Sequence, residues 1–160
     1  MNLTVDIQCA TGDTVPDEDD LRGWIAAVLA NQQRSGKAEV CLRLVDVAEM
    51  STLNLSYRGK TGPTNVLSFP ADLPAGLDLP LLGDIVICAP VVRTEAAAQG
   101  KQLAAHWAHM TVHGTLHLLG YDHSEEDEAI VMEALESAIL ASLGYPCPYR
   151  VSPPQQSASA

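Results

Sequence analysis

The sequence predicts an α+β domain in which a small mixed central β-sheet is flanked by helices. Three observations lead to this prediction: short alternating or apolar runs typical of strands, apolar residues at helical spacing between them, and the resulting order β-α-β-α-β-β-α-α-α. A chain of 160 residues is long enough for one domain with its own core. We expect a single domain over residues 1–150 and a disordered polar tail over residues 151–160.

Strands and helices alternate in the first half of the chain. Leu3 to Gln8 alternates apolar and polar residues, as a half-buried strand does. Pro16 and the acidic residues after it are typical of a helix start, because carboxylates favour the positive end of the helix dipole. An apolar stripe at helical spacing follows, formed by Leu21, Trp24, Ile25, Val28 and Leu29. The next predicted elements are a strand over 39–45, a helix over 47–57 and a strand over 66–69.

The second half contains one strand and three helices. Prolines spread over residues 70–80 predict an exposed loop over 71–82, and the apolar run after it predicts a buried strand over 83–88. The predicted helices cover residues 90–99, 101–119 and 124–143. Gly120 is a natural residue to end the second of them in a left-handed conformation. Ser124 is the predicted N-cap of the last helix, with Asp127 completing an approximate capping box.

The charge and the cysteines bear on partners and compartment. A net charge of −11 argues against a nucleic-acid partner, but the acidity is concentrated in two runs, 13–20 and 122–136, at predicted helix starts. The longest stretch free of polar residues, Ile85 to Val92, is too short to span a bilayer, and we see no signal peptide. The four cysteines lie far apart and are expected to be reduced, mostly buried thiols. We therefore expect a cytoplasmic protein.

All five histidines fall within residues 106–123. His113 and His117 lie one turn apart on a predicted helix that breaks at Gly120, and the turn after it can bring His123 back to them. Three imidazoles and a fourth position left to water describe a catalytic zinc site, although nickel or copper would also bind. His106 and His109 lie upstream on nearly the same face, where we expect supporting hydrogen bonds or core packing.

The same spacing also occurs in metzincin peptidases, where a glutamate after the first histidine acts as general base. Gly114 occupies that position here and has no side chain to carry a proton. A hydrolase built on this metal site must therefore draw a base or charge stabilisation from elsewhere. Residues 57–65 are the obvious source, because they combine glycines, hydroxyl groups, Arg58 and Lys60 in one loop. The planar guanidinium of Arg58 suits phosphate.

With these segments in hand, the sequence resembles the YbeY family of bacterial endoribonucleases. The resemblance is carried by four motifs that occur in the family's order: NLSYRGK over 54–60, TNVLSFP over 64–70, GDI over 83–85 and HGTLHLLGYDH over 113–123. The histidine motif is the most specific of them. The first thirty-five residues and the tail after Tyr149 are not diagnostic.

The resemblance implies a zinc-dependent, single-strand-specific endoribonuclease that acts in ribosome biogenesis. The implied tasks are maturation of the 3′ end of small-subunit rRNA and ribosome quality control. By position, His113, His117 and His123 are the implied ligands of one Zn²⁺ per chain, and Arg58 is the implied catalytic arginine. The implied partners are single-stranded RNA, the small-subunit rRNA precursor and the ribosomal particle or its proteins, with no membrane.

A mechanism follows from combining both lines of argument. Zinc would polarise a phosphoryl oxygen, and Arg58 would hold the scissile phosphate. Asp122 is a candidate base, with a turn-stabilising role as the alternative. Because RNA binding draws on cations, either the basic residues of the middle segment gather along one cleft or a ribosomal partner supplies the attraction. These residues are Arg58, Lys60, Arg93 and Lys101.

Two other classes of function stay open at this stage. A metallopeptidase or other zinc hydrolase would keep the metal and change the substrate, and Gly114 argues against the peptidase. A non-catalytic ribosome-assembly factor would use zinc for rigidity alone, and the lack of an evident fourth protein ligand argues against it.

Overall fold

The computed structural model describes residues 2–34, 36–71, 80–122 and 124–149. The elements in these parts of the chain are β1 (Asn2–Ala10), α1 (Glu18–Asn31), β2 (Lys37–Val45), α2 (Val47–Arg58), β3 (Val66–Pro70), β4 (Leu81–Cys88), α3 (Ala89–Gln99), α4 (Leu103–Leu118) and α5 (Glu126–Ser142). Their order confirms the predicted succession of strands and helices. The predicted α+β class, with a small mixed sheet flanked by helices, is also confirmed.

The described strands form one sheet in the order β1-β2-β4-β3. The first three are parallel, and β3 joins the edge antiparallel to β4. Successive residues of a strand point to opposite faces, and the residues of β4 follow this rule: Ile85 and Ile87 belong to the larger core cluster, whereas Val86 and Cys88 belong to the smaller one.

The two faces of the sheet carry different helices. The larger cluster contains the buried residues of α1, α4 and α5, and Trp107 of α4 is its largest fully buried side chain. The smaller cluster contains Met50 of α2 packed near Leu67 of β3 and Val86 of β4. Because β3 is an edge strand, residues from α2 on one face and α4 on the other can meet around that edge. This arrangement positions the candidate site.

The predicted cap of α5 is wrong. Glu125, rather than Ser124, precedes the first helical residue, and it makes no side-chain capping bond. The Ser124 hydroxyl lies 3.3 Å from Oδ2 of Asp122 and 3.2 Å from Oε1 of Glu128, so two carboxylates compete for it. The first turn of α5 is nonetheless acidic, as the helix dipole favours.

The remaining expectations about the fold have different outcomes. The predicted loop over 71–82 ends too late, because Leu81 and Leu82 already belong to β4, while residues 72–79 lie outside the described residues. The tail over 151–160 also lies outside them, and the single domain over 1–150 stays a prediction. Of the cysteines only Cys88 is buried and Cys9 is exposed, so the expectation of mostly buried thiols is wrong. Among the described helices, none has the length and apolarity needed to cross a bilayer.

Candidate metal centre

Helix α4 presents four histidines and then ends in a tight turn. Gly120 has a φ of 102°, which confirms the expected left-handed residue. The backbone N–H of Gly120 donates to the carbonyl of His117 at 3.0 Å, and that of Tyr121 donates to the carbonyl of Leu116 at 3.1 Å. This pair of bonds is a Schellman motif, which satisfies the last carbonyls and turns the chain sharply after His117.

His113 and His117 form a pair suited to a metal ion. Their Nε2 atoms lie 3.1 Å apart, and their ring centroids are 4.6 Å apart. Two nitrogen ligands of a tetrahedral zinc, each about 2.0–2.1 Å from the ion, would be about 3.3 Å apart. The predicted third ligand, His123, lies outside the described residues.

Glu136 of α5 reaches the histidines from the neighbouring helix. It is 0% exposed, and its Oε2 accepts a hydrogen bond from Nδ1 of His113 at 2.5 Å. Its Oε1 lies 3.1 Å from Nε2 of His109 and also accepts a hydrogen bond from the hydroxyl of Tyr149. Burial alone would raise the pKa of Glu136, but the bonds from His109 and His113 outweigh burial and lower this pKa to about 2.

The carboxylate of Glu136 fixes the direction of its bond with His113. An ionised carboxylate can only accept hydrogen bonds, so Nδ1 of His113 is the donor in this contact. The hydroxyl of Tyr149 keeps its proton as well, because burial and the bond to Glu136 raise the pKa of Tyr149. Sequence reasoning missed Glu136 and Tyr149. The signal was a carboxylate at an apolar helical position, one turn after the buried Met132 and one turn before the buried Leu140.

The described residues offer two sets of ligand atoms to a metal ion. One atom each from His109, His113 and Glu136 lies within 4.8 Å of the others, close enough to share an ion. In that set, however, the imidazoles already donate to or contact the carboxylate. The second set is the pair of Nε2 atoms on His113 and His117, which lie 3.1 Å from each other and do not contact Glu136 in the described hydrogen bonds. Imidazole and carboxylate donors both fit zinc.

A cavity of about 540 Å³ opens beside this histidine pair. It is lined by Arg58, Thr64, Asn65, Val66, Leu67, Ser68, His109, Met110, His113, His117, Asp122 and Tyr149. The structure therefore brings Arg58, at the end of α2, into one cavity with His113 and His117 of α4. Within the described parts of the chain, the Arg58 guanidinium makes no hydrogen bond or ion pair and is free to bind an anion.

The other predicted cations do not join Arg58 around the cavity. Among the described lining residues, Arg58 is the only lysine or arginine. Arg93 instead pairs with Asp13 at 2.9 Å. The expectation of four cations along one cleft therefore finds no support in the described residues.

The loop that carries Arg58 is anchored at both ends by buried or half-buried polar groups. Nδ2 of Asn54 donates to the carbonyl of Gly62 at 2.8 Å. At the far end, Nδ2 of Asn65 donates to Glu95 at 3.1 Å, and the same Glu95 oxygen lies 2.8 Å from Nε2 of His106. His106 thus supports the wall of the cavity indirectly, and the left-handed Gly59 (φ 67°) ends α2 just after Arg58.

Gly114 has a packing role that the sequence did not reveal. A Cβ atom at this position would lie 2.9 Å from Cγ2 of Ile85 and 3.2 Å from Oγ of Ser68. The Ser68 hydroxyl also donates to the Gly114 carbonyl at 2.9 Å. Gly114 therefore faces the sheet and lets α4 approach it closely, and a catalytic glutamate could not be accommodated there.

Two comparisons with known proteins point to the same family. A family model described as "Endoribonuclease YbeY" matches residues 6–144. A protein of Pseudomonas putida (strain W619) named "Endoribonuclease YbeY" is 60% identical over 148 residues, covering 92% of this chain and 93% of that relative. A solution structure of a Thermotoga maritima protein is 23% identical, with a TM-score of 0.55, and covers 88% of this chain and 92% of its own. This last likeness concerns the fold alone.

Proposed function

Since the chain belongs to the endoribonuclease YbeY family, we propose that it is a zinc-dependent endoribonuclease that cuts single-stranded RNA during ribosome biogenesis. Its proposed tasks are maturation of the 3′ end of the small-subunit rRNA precursor and a contribution to ribosome quality control. One observation supports the chemistry: the guanidinium of Arg58, which has no partner among the described residues, lines the same cavity as the paired imidazoles of His113 and His117.

The proposed zinc ligands are His113, His117 and His123, with one ion per chain. The 3.1 Å separation of the first two Nε2 atoms suits a shared ion, and Glu136 holds the proton of His113 on the other ring nitrogen. A carboxylate behind a ligating imidazole is common in zinc sites because it orients the ring and raises its basicity. These contacts favour this ligand set over one that includes Glu136 itself.

The groups around the cavity have different proposed roles in cleavage. When bound, zinc polarises a phosphoryl oxygen and makes a neighbouring water molecule more acidic. Arg58 binds the scissile phosphate through its planar fork and stabilises the negative charge that develops there. Asp122 also lines the cavity and is the proposed proton acceptor. The loop over 59–65, which follows Arg58, is anchored by the bonds of Asn54 to Gly62 and of Asn65 to Glu95.

The ribosomal particle is the proposed source of additional binding energy. The chain carries a net charge of −11, and Arg58 is the one arginine or lysine among the described cavity residues. Nucleic-acid affinity draws strongly on cations that meet phosphates, and this chain supplies few. Ribosomal proteins or the particle itself would present the RNA, which places the activity in the cytoplasm.

The first experiment compares RNA cleavage by the wild-type protein and His113→Ala. Purified protein with measured zinc content is incubated with single-stranded RNA that contains the small-subunit precursor 3′ end. We expect cleavage that rises with zinc content and is lost in the variant. Casein serves as a parallel substrate, and its cleavage in place of RNA would indicate a peptidase. If RNA stays intact while zinc is bound, the next substrate is the intact ribosomal particle. Absence of rRNA cleavage in that particle would refute the proposed nuclease activity.

A further inference from the structure

An aromatic pair, the exposed Tyr57 and the half-buried Phe69, is formed by residues adjacent in sequence to two residues that line the cavity. Tyr57, in the last turn of α2, is 66% exposed, more than any other large apolar side chain among the described residues. Its ring packs edge-to-face against Phe69 of β3, with centroids 4.9 Å apart and an interplanar angle of 61°. Phe69 is itself partly buried against the smaller core cluster. Phe69 is thus fixed by its packing on the core and contacts the ring of Tyr57, most of which is exposed to water.

This pair is continuous with the cavity along two separate elements. Tyr57 immediately precedes Arg58, and Phe69 immediately follows Ser68, and both Arg58 and Ser68 line the cavity. Consecutive Cα atoms are about 3.8 Å apart, so α2 and β3 each pass from a cavity residue to an aromatic residue within one step. In α2, Tyr57 is thus the aromatic residue next to the arginine that is proposed to hold a phosphate.

Because the protein is acidic, a contact that adds RNA affinity without requiring positive charge would compensate for the small number of cations at the cavity. Arg58 is the one described lysine or arginine on the cavity wall, and the whole chain carries −11. Stacking of a base on an aromatic ring does not require protein charge, and it accepts any base because every base has a π-face.

We propose that Tyr57, supported by Phe69, stacks against one nucleobase of a single-stranded RNA whose neighbouring phosphate is held by Arg58. This inference rests on the proposed function and extends it to the recognition of single strands. In a duplex both faces of an interior base are covered by its neighbours, whereas an unpaired base can be splayed onto an aromatic side chain. Tyr57 thereby selects unpaired RNA at the cleavage site.

The test measures equilibrium binding, so it does not depend on cleavage. A fluorescein-labelled single-stranded RNA with the precursor 3′ end is titrated with wild type, Tyr57→Ala, Tyr57→Phe and the control Leu55→Ala. Leu55 lies on the same helix, is 59% exposed and belongs to neither the aromatic pair nor the cavity. We expect Tyr57→Ala to raise the Kd about tenfold or more, and Tyr57→Phe and Leu55→Ala to stay within about twofold of wild type.

A second readout separates stacking from a structural effect. RNAs with a single abasic nucleotide at successive positions are titrated with wild type and Tyr57→Ala, after zinc content and thermal unfolding have been compared. We expect one abasic position to weaken binding to wild type about tenfold but to leave binding to Tyr57→Ala unchanged, because the base and the ring are lost from the same contact.

The outcomes distinguish this inference from the proposed nuclease. Equal affinity of wild type and Tyr57→Ala, or an abasic effect that persists in the variant, would overturn the stacking role and leave the nuclease standing. Tyr57-dependent RNA binding by a protein that never cleaves RNA would support the stacking role and refute the proposed nuclease activity. Absence of RNA binding by wild type would overturn the stacking role, and the nuclease would then be tested on the intact ribosomal particle.

Discussion

Nδ1 of His113 donates a hydrogen bond to Oε2 of Glu136 at 2.5 Å, although the two residues lie 23 positions apart on different helices. The candidate centre is therefore completed only where α5 packs against α4. Since Glu136 also accepts hydrogen bonds from His109 and Tyr149, one buried carboxylate contacts three side chains behind the histidine pair. The orientation of His113 then depends on the packing of two helices and not on α4 alone.

Substitution of Glu136 is expected to weaken zinc binding. Loss of a carboxylate behind a ligating imidazole typically costs 10–100-fold in metal affinity, so we expect Glu136→Gln to raise the zinc Kd by about that factor. Competition with a chelating dye measures this Kd. Glu133→Gln is the matched control, because Glu133 lies on the same helix and is exposed. Equal zinc affinity of Glu136→Gln and wild type would contradict the positioning role.

Removal of the His117 imidazole is expected to empty the centre. The proposed geometry uses its Nε2 atom directly, so His117→Ala should be purified with little zinc. Metal analysis by mass spectrometry gives the zinc content per chain. In wild type, chelation should abolish RNA cleavage and added zinc should restore it. A full zinc complement in His117→Ala would exclude this residue from the ligand set and favour the alternative group that contains His109.

Truncation of Arg58 is expected to separate catalysis from metal binding. Arg58 lines the cavity without a described protein partner, so Arg58→Ala should fold and retain zinc. We expect the cleavage rate to fall about a hundredfold, as when a donor to a developing oxyanion is removed. Arg58→Lys keeps the positive charge but loses the planar pair of donors, so we expect its cleavage rate to lie between those of Arg58→Ala and wild type. An unchanged rate for Arg58→Ala would refute the phosphate-binding role.

Addition of one methyl group at Gly114 is expected to destabilise the fold. Its Cβ would lie 2.9 Å from Cγ2 of Ile85, and overpacking of this kind costs about 1–3 kcal/mol. Gly23→Ala is the control, because Gly23 lies within α1 and a Cβ there meets nothing within 4 Å. We expect that control to gain about 0.5–1 kcal/mol. Urea unfolding measures the free energy of unfolding of both variants. A Gly114→Ala variant as stable as wild type would show that α4 can move away from the sheet.

Protonation of His106 is expected to destabilise the protein in mild acid. Burial lowers the pKa of His106 below its ordinary 6.5, and this effect outweighs the bond to Glu95. Near these pH values the unfolded chain therefore binds more protons than the folded one. The contribution of His106 to the free energy of unfolding is present above pH 6.5 and declines as the pH falls toward the lowered pKa. Urea unfolding near pH 7.5 and pH 5.5 should show a smaller loss for His106→Gln than for wild type. A loss of the same size in both proteins would assign the pH dependence to other groups.

Local sequence signals predicted most of the fold and part of the site. Apolar periodicity located the helices, and the glycine after His117 correctly predicted a left-handed residue at the end of α4. The loop around Arg58 was singled out from its composition, and the structure places that arginine in the same cavity as His113. These features depend on residues close together in the chain, which is where spacing rules apply.

The features that sequence missed depend on contacts between distant segments. Glu136 belongs to an acidic run that a helix start explains, so its position among buried apolar residues carried the information that mattered. The close packing of Gly114 on Ile85 requires the register of α4 against β4, which no local pattern contains. The edge position of β3, and hence the meeting of α2 and α4 around it, likewise follows from strand order and not from the strand's own residues.

The placement of Glu136 on the last described helix has a consequence for protein synthesis. As the chain leaves the ribosome, the histidines of α4 emerge before Glu136 and Tyr149, the two groups that complete the buried network behind His113. Under the proposed function, an unfinished polypeptide lacks the carboxylate that orients a zinc ligand. A nascent chain would therefore bind zinc more weakly at these histidines until α5 has been made and has packed against α4.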